Sequence, residues 1–392
     1  MLRLVVSFVF AFCGAAKASD GARPPVRRAP AVLEGEDGGP KIRVAIARNS
    51  PSIKLKTSAK TYLVEVKTGQ KYLLLANASY DIKRAGEQSL SVADQTLSSP
   101  IKLLSADGSE KVRLGGNIYK GDILINAVPG GRLNIIEYLP LEDYLYGVLP
   151  SEMSAGWPLE ALKAQAVASR SYAVKNLAPG KDYDVTDGID TQVYNGTKGI
   201  NSRILEAVNA TRGEVLKYKG KIVTAFFHAC CGGHTGSARA AWGEEVGKPL
   251  SGVSDPFCSG SFHHKWHLGI SVADMLSFIQ AKGSTALKIK GIRLYKKDRS
   301  GRVITVLFVT DQGKLQVKVT DIRKRFGNSD FKSLYLTSVV REGGYFEFSG
   351  RGWGHGVGMC QEGAKEMAKR GMSYKKILRH YYPGASITDY GN

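Results

Sequence analysis

From Ile42 to Tyr138 the apolar residues come in short runs that alternate with polar ones and are broken by Gly, Asn, Asp and Ser. Residues 42–46, 62–66, 72–75 and 123–125 are examples, and runs at this spacing predict a β-rich unit over 42–138. Further along, the period changes. Pro158 suits the first turn of a helix, where its missing N–H has no partner to lose. Leu159, Leu162, Ala166, Val167 and Ala173 then fall on one helical face. Gln165, Ser169 and Tyr172 follow at i, i+4 and i+7, a polar row beside that face. Pro179 and Gly180 stop the helix. Glu152 stands isolated just before it, between Pro150 and Pro158. On pattern alone it reads either as a surface residue or as the carboxylate of a cleft wall.

Downstream, the pattern predicts a short helix over 204–209, a buried strand over 222–227 and a helix over 272–281. Strands are predicted at 289–296, 303–309 and 315–319. The whole is an α+β chain, divided as a β-rich N-terminal part (42–138), a core (139–265), a mixed α/β insertion (266–349) and a Gly-rich part (350–392) that completes the core.

The first residues change the setting. Arg3 precedes an apolar run over 4–16 that closes on Ala16-Lys17-Ala18, the layout of a secretory signal peptide over 1–18. The run is too short to anchor in a bilayer, and no later run is long enough, so no stable membrane insertion is expected. Phe12 before Cys13 is too bulky for a lipoprotein site. Residues 19–41, rich in Pro, Gly, Ala and Arg, read as a flexible lead-in. The expectation is an exported protein, periplasmic or at the cell wall.

Net charge is +20, and loss of Arg3 and Lys17 with the signal leaves two fewer, +18. Such a surplus favours a polyanionic partner. Nucleic acid is the first candidate for any basic protein, but an exported chain meets the muramyl and peptide carboxylates of a cell wall instead. No nucleic-acid partner is expected. The alternative is a basic surface kept for solubility.

All seven histidines lie beyond position 227, and His228, Cys230, Cys231 and His234 fall within seven residues, with Cys258, His263, His264 and His267 downstream. These donors would suit zinc. Against it, adjacent Cys230 and Cys231 are an awkward pair for one tetrahedral ion, and export favours disulfides. Five glycines between 350 and 358 surround His355 and allow a close backbone approach. No Lys-Ser/Thr follows, so this is not a phosphate loop.

Two long words resemble the stage II sporulation protein D / LytB family of peptidoglycan-active proteins. The first runs over 141–194 and includes Glu142-Asp143-Tyr144-Leu145-Tyr146-Gly147-Val148, Pro150-Ser151-Glu152-Met153, the helix from Trp157-Pro158, and Gln192-Val193-Tyr194. The second is Gly350-Arg351-Gly352-Trp353-Gly354-His355-Gly356-Val357-Gly358-Met359-Cys360-Gln361-Glu362-Gly363-Ala364, followed by Tyr381-Tyr382-Pro383-Gly384. The resemblance implies an α+β body with a helix-lined cleft. It also implies a lytic transglycosylase that cleaves denuded glycan strands between MurNAc and GlcNAc, leaving 1,6-anhydro-MurNAc ends. The alternative it carries is a non-catalytic wall-binding protein that stimulates an N-acetylmuramoyl-L-alanine amidase.

By that resemblance Glu152 is the catalytic acid and base. Gln165, Tyr172, Gln192 and Tyr194 position the glycan, and Arg170 meets a muramyl lactyl carboxylate. His355 and Gln361 offer hydrogen bonds to sugar hydroxyls. Positions 231 and 258 tend to carry cysteine together in the family, which implies a Cys231–Cys258 disulfide. Some members hold zinc in the loop before the Gln-Val-Tyr word, but Thr186, Asp190 and Thr191 stand where those ligands are expected. Neither threonine is a good zinc ligand, so neither metal nor cofactor is expected.

Overall fold

Alternation over the first part of the chain is realised as two sheets. The computed structural model describes residues 39–391 apart from 58–59, 94, 106–111, 115 and 245–246. Residues 1–18, expected as a signal peptide, and nearly all of the expected lead-in therefore lie outside the described residues. A seven-stranded sheet has the order Val185–Thr186, Lys41–Ser50, Arg132–Pro140, Asp122–Val128, Ile101–Ser105, Thr61–Glu65, Lys71–Leu74. A six-stranded sheet runs from Asn117–Tyr119 to Gln95–Ser98. Strand Ser52–Lys56 shows why alternation predicts this: Ile53 and Leu55 are buried while the residues between them are exposed.

Eight helices follow among the described residues: α1 (Leu141–Glu152), α2 (Leu159–Lys175), α3 (Ser202–Asn209), α4 (Ala238–Trp242), α5 (Val272–Gln280), α6 (Val319–Phe326), α7 (Gln361–Lys369) and α8 (Tyr374–Tyr381). Helix α2 is the axis of the body. It packs against α1, α3, α7, α8 and strand Glu214–Tyr218. Its alanines at 161, 164, 166, 168 and 173 are all buried, and their small size lets so many neighbours approach it. The expected single apolar face is thus replaced by burial on nearly every side. Its polar residues are satisfied internally, as when the Ser171 hydroxyl donates to Val167 O (2.6 Å) and accepts from Leu216 N–H (2.8 Å).

One apolar core joins the N-terminal sheets to the helices, running from Ile42 through Leu149 and Val167 to Tyr382. A second core belongs to the later segment, with Trp266, Phe308, Phe331 and Phe348 at its centre. The second core lies over Lys265–Ser271, Leu336–Glu342 and Tyr345–Arg351 in one sheet, and Ile289–Lys297, Val303–Thr310 and Gly313–Lys318 in another.

The strand expected over 222–227 is interrupted. Only Lys221–Ile222 and Phe227–His228 are paired, the latter in parallel with Met359–Cys360. Between them the chain leaves one sheet for another, and Phe226 O is taken by Met359 N–H (3.0 Å) and the Tyr382 hydroxyl (2.7 Å). Gly358 (φ +74°) allows this crossing, because a side chain there would strike Phe226 O. That pairing carries the second word back to the first.

Candidate functional site

Glu152 is the last residue of α1, and its position is fixed from three directions. Met153 leaves the helix in an extended conformation (φ −138°), and its N–H closes on Leu149 O. Its buried side chain anchors the turn. Across the corner, Arg203 of α3 donates to Ala155 O and Trp157 O, both at 2.8 Å. Pro158 then starts α2.

Two further segments meet the Glu152 carboxyl, and a third stands behind one of them. The Val193 N–H donates to it. From the first residue of α7, Gln361 Nε2 reaches Glu152 Oε2 at 3.5 Å and Gln165 Oε1 at 3.4 Å. Gln165 in turn donates to Ser169 Oγ at 3.0 Å. Residues 152, 165, 193 and 361 therefore form one amide-lined cluster, although they are distant in sequence. Burial pushes Glu152 from an ordinary 4.5 up to about 7, against the opposing donors from Gln361 and Val193.

A raised carboxyl alone is not a site, since burial also lifts Glu137 to about 7. Glu137 accepts the Gly121 and Lys120 N–H groups (2.7 and 3.1 Å) and the Tyr194 hydroxyl. It holds a turn together. Glu152 differs in taking a side-chain amide from α7, Gln361, which Gln165 of α2 holds in turn.

Two sequence expectations are corrected here. Arg170 is fully buried and gives a bidentate pair to Glu142 (2.8 and 2.7 Å), with further bonds to Glu214 O and Val208 O. All its donors face inward, so it is not placed to meet a lactyl carboxylate. Tyr194 is also core, packed on Tyr144 (5.2 Å between centroids) and Tyr119 (6.2 Å), with its hydroxyl on Glu137. The Gln-Val-Tyr word reaches Glu152 through a backbone N–H instead. Gln192 is buried beneath, where its Oε1 accepts the Tyr144 hydroxyl at 3.3 Å and its Nε2 has no partner among the described residues.

His355 lies in a different group. Burial lowers it to about 4, so its ring is neutral, and Nδ1 accepts the Val357 N–H at 3.0 Å. Around it runs an aromatic strip that periodicity did not reveal. Tyr172 meets Phe226 edge-on (5.9 Å), Phe226 meets Trp242 (4.6 Å), and Trp242 meets His355 (5.3 Å). Trp242 remains 44% exposed. The only advance signal was Tyr172 at i+7 from Gln165 on α2, about 10 Å along the helix.

Thr186, Asp190 and Thr191 close their loop by hydrogen bonds. Thr186 Oγ1 donates to Asp190 Oδ1 (2.6 Å), and Thr191 Oγ1 donates to Thr186 O (2.7 Å). Two hydroxyls and one carboxylate do not fit the zinc that some relatives hold there. Elsewhere, the Cys231 and Cys258 sulfurs approach to 3.5 Å but are unbonded, so the expected disulfide is absent from this structure. Cys230 and Cys360 are free thiols in the same buried region.

Residues 129–218 match the family described as stage II sporulation protein, and 256–358 match a domain of unknown function, DUF8618. Stage II sporulation protein D of Bacillus subtilis (strain 168) is 31% identical over 276 residues, covering 65% of this chain and 76% of that protein. The chain belongs to the stage II sporulation protein D family. The amidase enhancer of the same strain is 29% identical over 381 residues, 85% of this chain and 53% of that protein. The chain thus spans about half of that relative. An uncharacterized protein of Brachyspira hyodysenteriae is 35% identical over 294 residues, 70% of this chain and 78% of its own length. Among the described residues, no helix is long and apolar enough to cross a membrane.

Proposed function

We propose that this stage II sporulation protein D relative is a lytic transglycosylase acting at the cell wall on glycan strands freed of stem peptides. The observation that carries the reading is the Glu152 carboxyl, pushed to about 7 by burial and faced by the Gln361 amide and the Val193 N–H. Hydrolysis of a glycoside ordinarily employs two flanking carboxyl groups. One suffices when the sugar supplies its own nucleophile. Glu152, protonated near neutral pH, gives its proton to the oxygen linking MurNAc to GlcNAc, and that C–O bond breaks. The 6-hydroxyl of the same MurNAc attacks its C1, and the Glu152 carboxylate takes the hydroxyl proton. The products are a 1,6-anhydro-MurNAc end and a free GlcNAc hydroxyl. No water is consumed, and Glu152 returns protonated.

Gln361 holds the carboxyl, and Gln165, fully buried behind it, fixes the Gln361 amide rather than reaching the sugar. The Tyr172–Phe226–Trp242 strip with His355 gives sugar rings an apolar surface further along the strand. The excess of positive charge draws the protein to the anionic wall.

A second reading is a wall-binding protein that stimulates an amidase, favoured by the amidase enhancer relative, whose alignment covers 85% of this chain. Incubating the protein with denuded glycan strands and weighing the ends by mass spectrometry separates the two. Anhydro-muramyl ends support the transglycosylase. Uncut strands favour the binder, and ordinary reducing ends would mean a hydrolase.

A further inference from the structure

We propose that the sulfurs of Cys230, Cys231, Cys258 and Cys360 together hold a soft divalent cation, zinc in the first instance, in a buried structural site. All four cysteines are 1% exposed or less. The Cys258 sulfur and the Cys360 sulfur each face the other three. The ligand atoms of Cys231, Asp255, Cys258 and Cys360 all lie within 4.8 Å of one another, as do those of Cys230, Cys258 and His264. A tetrahedral ion with Zn–S bonds of about 2.3 Å sets its sulfurs about 3.8 Å apart. The 3.5 Å between Cys231 and Cys258 is close to that spacing and far from a covalent S–S bond of about 2.05 Å.

Backbone donors meet two of the four sulfurs. Cys360 caps α7, and its sulfur accepts the N–H groups of Gly363 (3.4 Å) and Cys231 (3.2 Å). The Cys231 sulfur accepts the Gly233 N–H at 3.3 Å. The Arg302 guanidinium is buried beside Cys231 and Cys360, and donates to the carbonyls of Cys231 and His234 and to Ser300 Oγ, all neutral. The Asp298 carboxylate also stands near that cation, and a four-thiolate site would add net negative charge beside it. Asp255 is engaged by the Tyr381 hydroxyl (3.0 Å) and the Phe257 N–H (3.0 Å), and accepts the Cys231 thiol (3.1 Å), so that it is itself the partner of a ligand sulfur. His264 Nδ1, at 3.7 Å from the Cys258 sulfur, serves as an outer partner.

Adjacent Cys230 and Cys231 both reach the sulfurs of Cys258 and Cys360. Cys230 exchanges two hydrogen bonds with Trp353, and Gly232 (φ +77°) turns the chain immediately after Cys231. A disulfide between Cys231 and Cys258 would engage two of the four sulfurs and leave Cys230 and Cys360 unexplained. The ion would also fix the start of α7, so that Gln361, next to Cys360, is held against Glu152.

The test uses the exported chain, purified without chelator, and reads metal content rather than turnover. Elemental analysis should give one zinc per chain. Four thiols should become alkylatable only after unfolding with chelator. Cobalt exchanged into the site should show the intense visible bands of tetrahedral thiolate coordination. His264→Ala should retain the ion. Cys360→Ser should lose it, and the cobalt spectrum of the unaltered chain covers the case in which that variant does not fold. Absence of bound metal together with disulfide-linked peptides joining these cysteines would overturn the site, and loss of zinc in His264→Ala would overturn the four-sulfur ligand set.

Discussion

Glu152 was singled out because its neighbours form a long word of a known family, and in the structure its carboxyl is pushed up to about 7 by burial. Burial raises its pKa above the free value, so the native state binds that proton more tightly than the unfolded chain. The stability tied to the protonated form is complete below about 4.5 and is lost as pH climbs through about 7. Glu152→Gln has no charge to bury. Relative to the parent, the variant should gain stability between pH 5 and pH 8, by a shift of order 2 kcal/mol. Glu137 behaves alike in both proteins and cancels. Thermal melts at the two pH values check this, and a constant difference would contradict it. Cleavage should likewise fall as pH rises through about 7, as the acid form is titrated away. Arg170 was not legible. Sequence spacing cannot tell a charge facing solvent from one paired indoors with Glu142. Arg170→Ala should cost about 3–5 kcal/mol by leaving Glu142 unpaired. KM of the folded variant should be unchanged, whereas a large KM rise would return Arg170 to the substrate.

At the scale of elements, the sequence yielded α2, α3, α5 and the strands around residues 42–138 and 289–318, because each keeps its own period. It did not yield the surroundings of residue 226. There the chain passes between two sheets, and non-local partners at Met359 and Tyr382 decide the backbone. The aromatic strip was hidden for the same reason, since Tyr172, Phe226 and Trp242 come from separate segments and are joined only in the fold, through Phe226. If a sugar ring covers about 50 Å² of the Trp242 ring, the gain is about 1.3 kcal/mol, close to tenfold in affinity. Trp242→Ala should therefore raise KM for long strands by about that factor and leave kcat nearly unchanged. Equal kcat/KM in parent and variant would remove the strip from the binding surface.

The whole molecule joins two apolar cores with a strongly basic composition. If the charge serves wall binding, affinity for intact sacculi should fall steeply with salt, because exposed charges act over about 8 Å at physiological ionic strength. Cleavage of a short saturating oligomer should change much less, and parallel losses would place the charge at the active site. The central claim, that one carboxylate performs both proton transfers, is tested most directly by comparing the parent chain with Glu152→Gln on denuded glycan, with products weighed by mass spectrometry. The parent should release strands ending in 1,6-anhydro-MurNAc. The variant should bind the same strands and release anhydro ends at least 10²–10⁴-fold more slowly. Anhydro ends formed at the parental rate by folded Glu152→Gln would contradict the account.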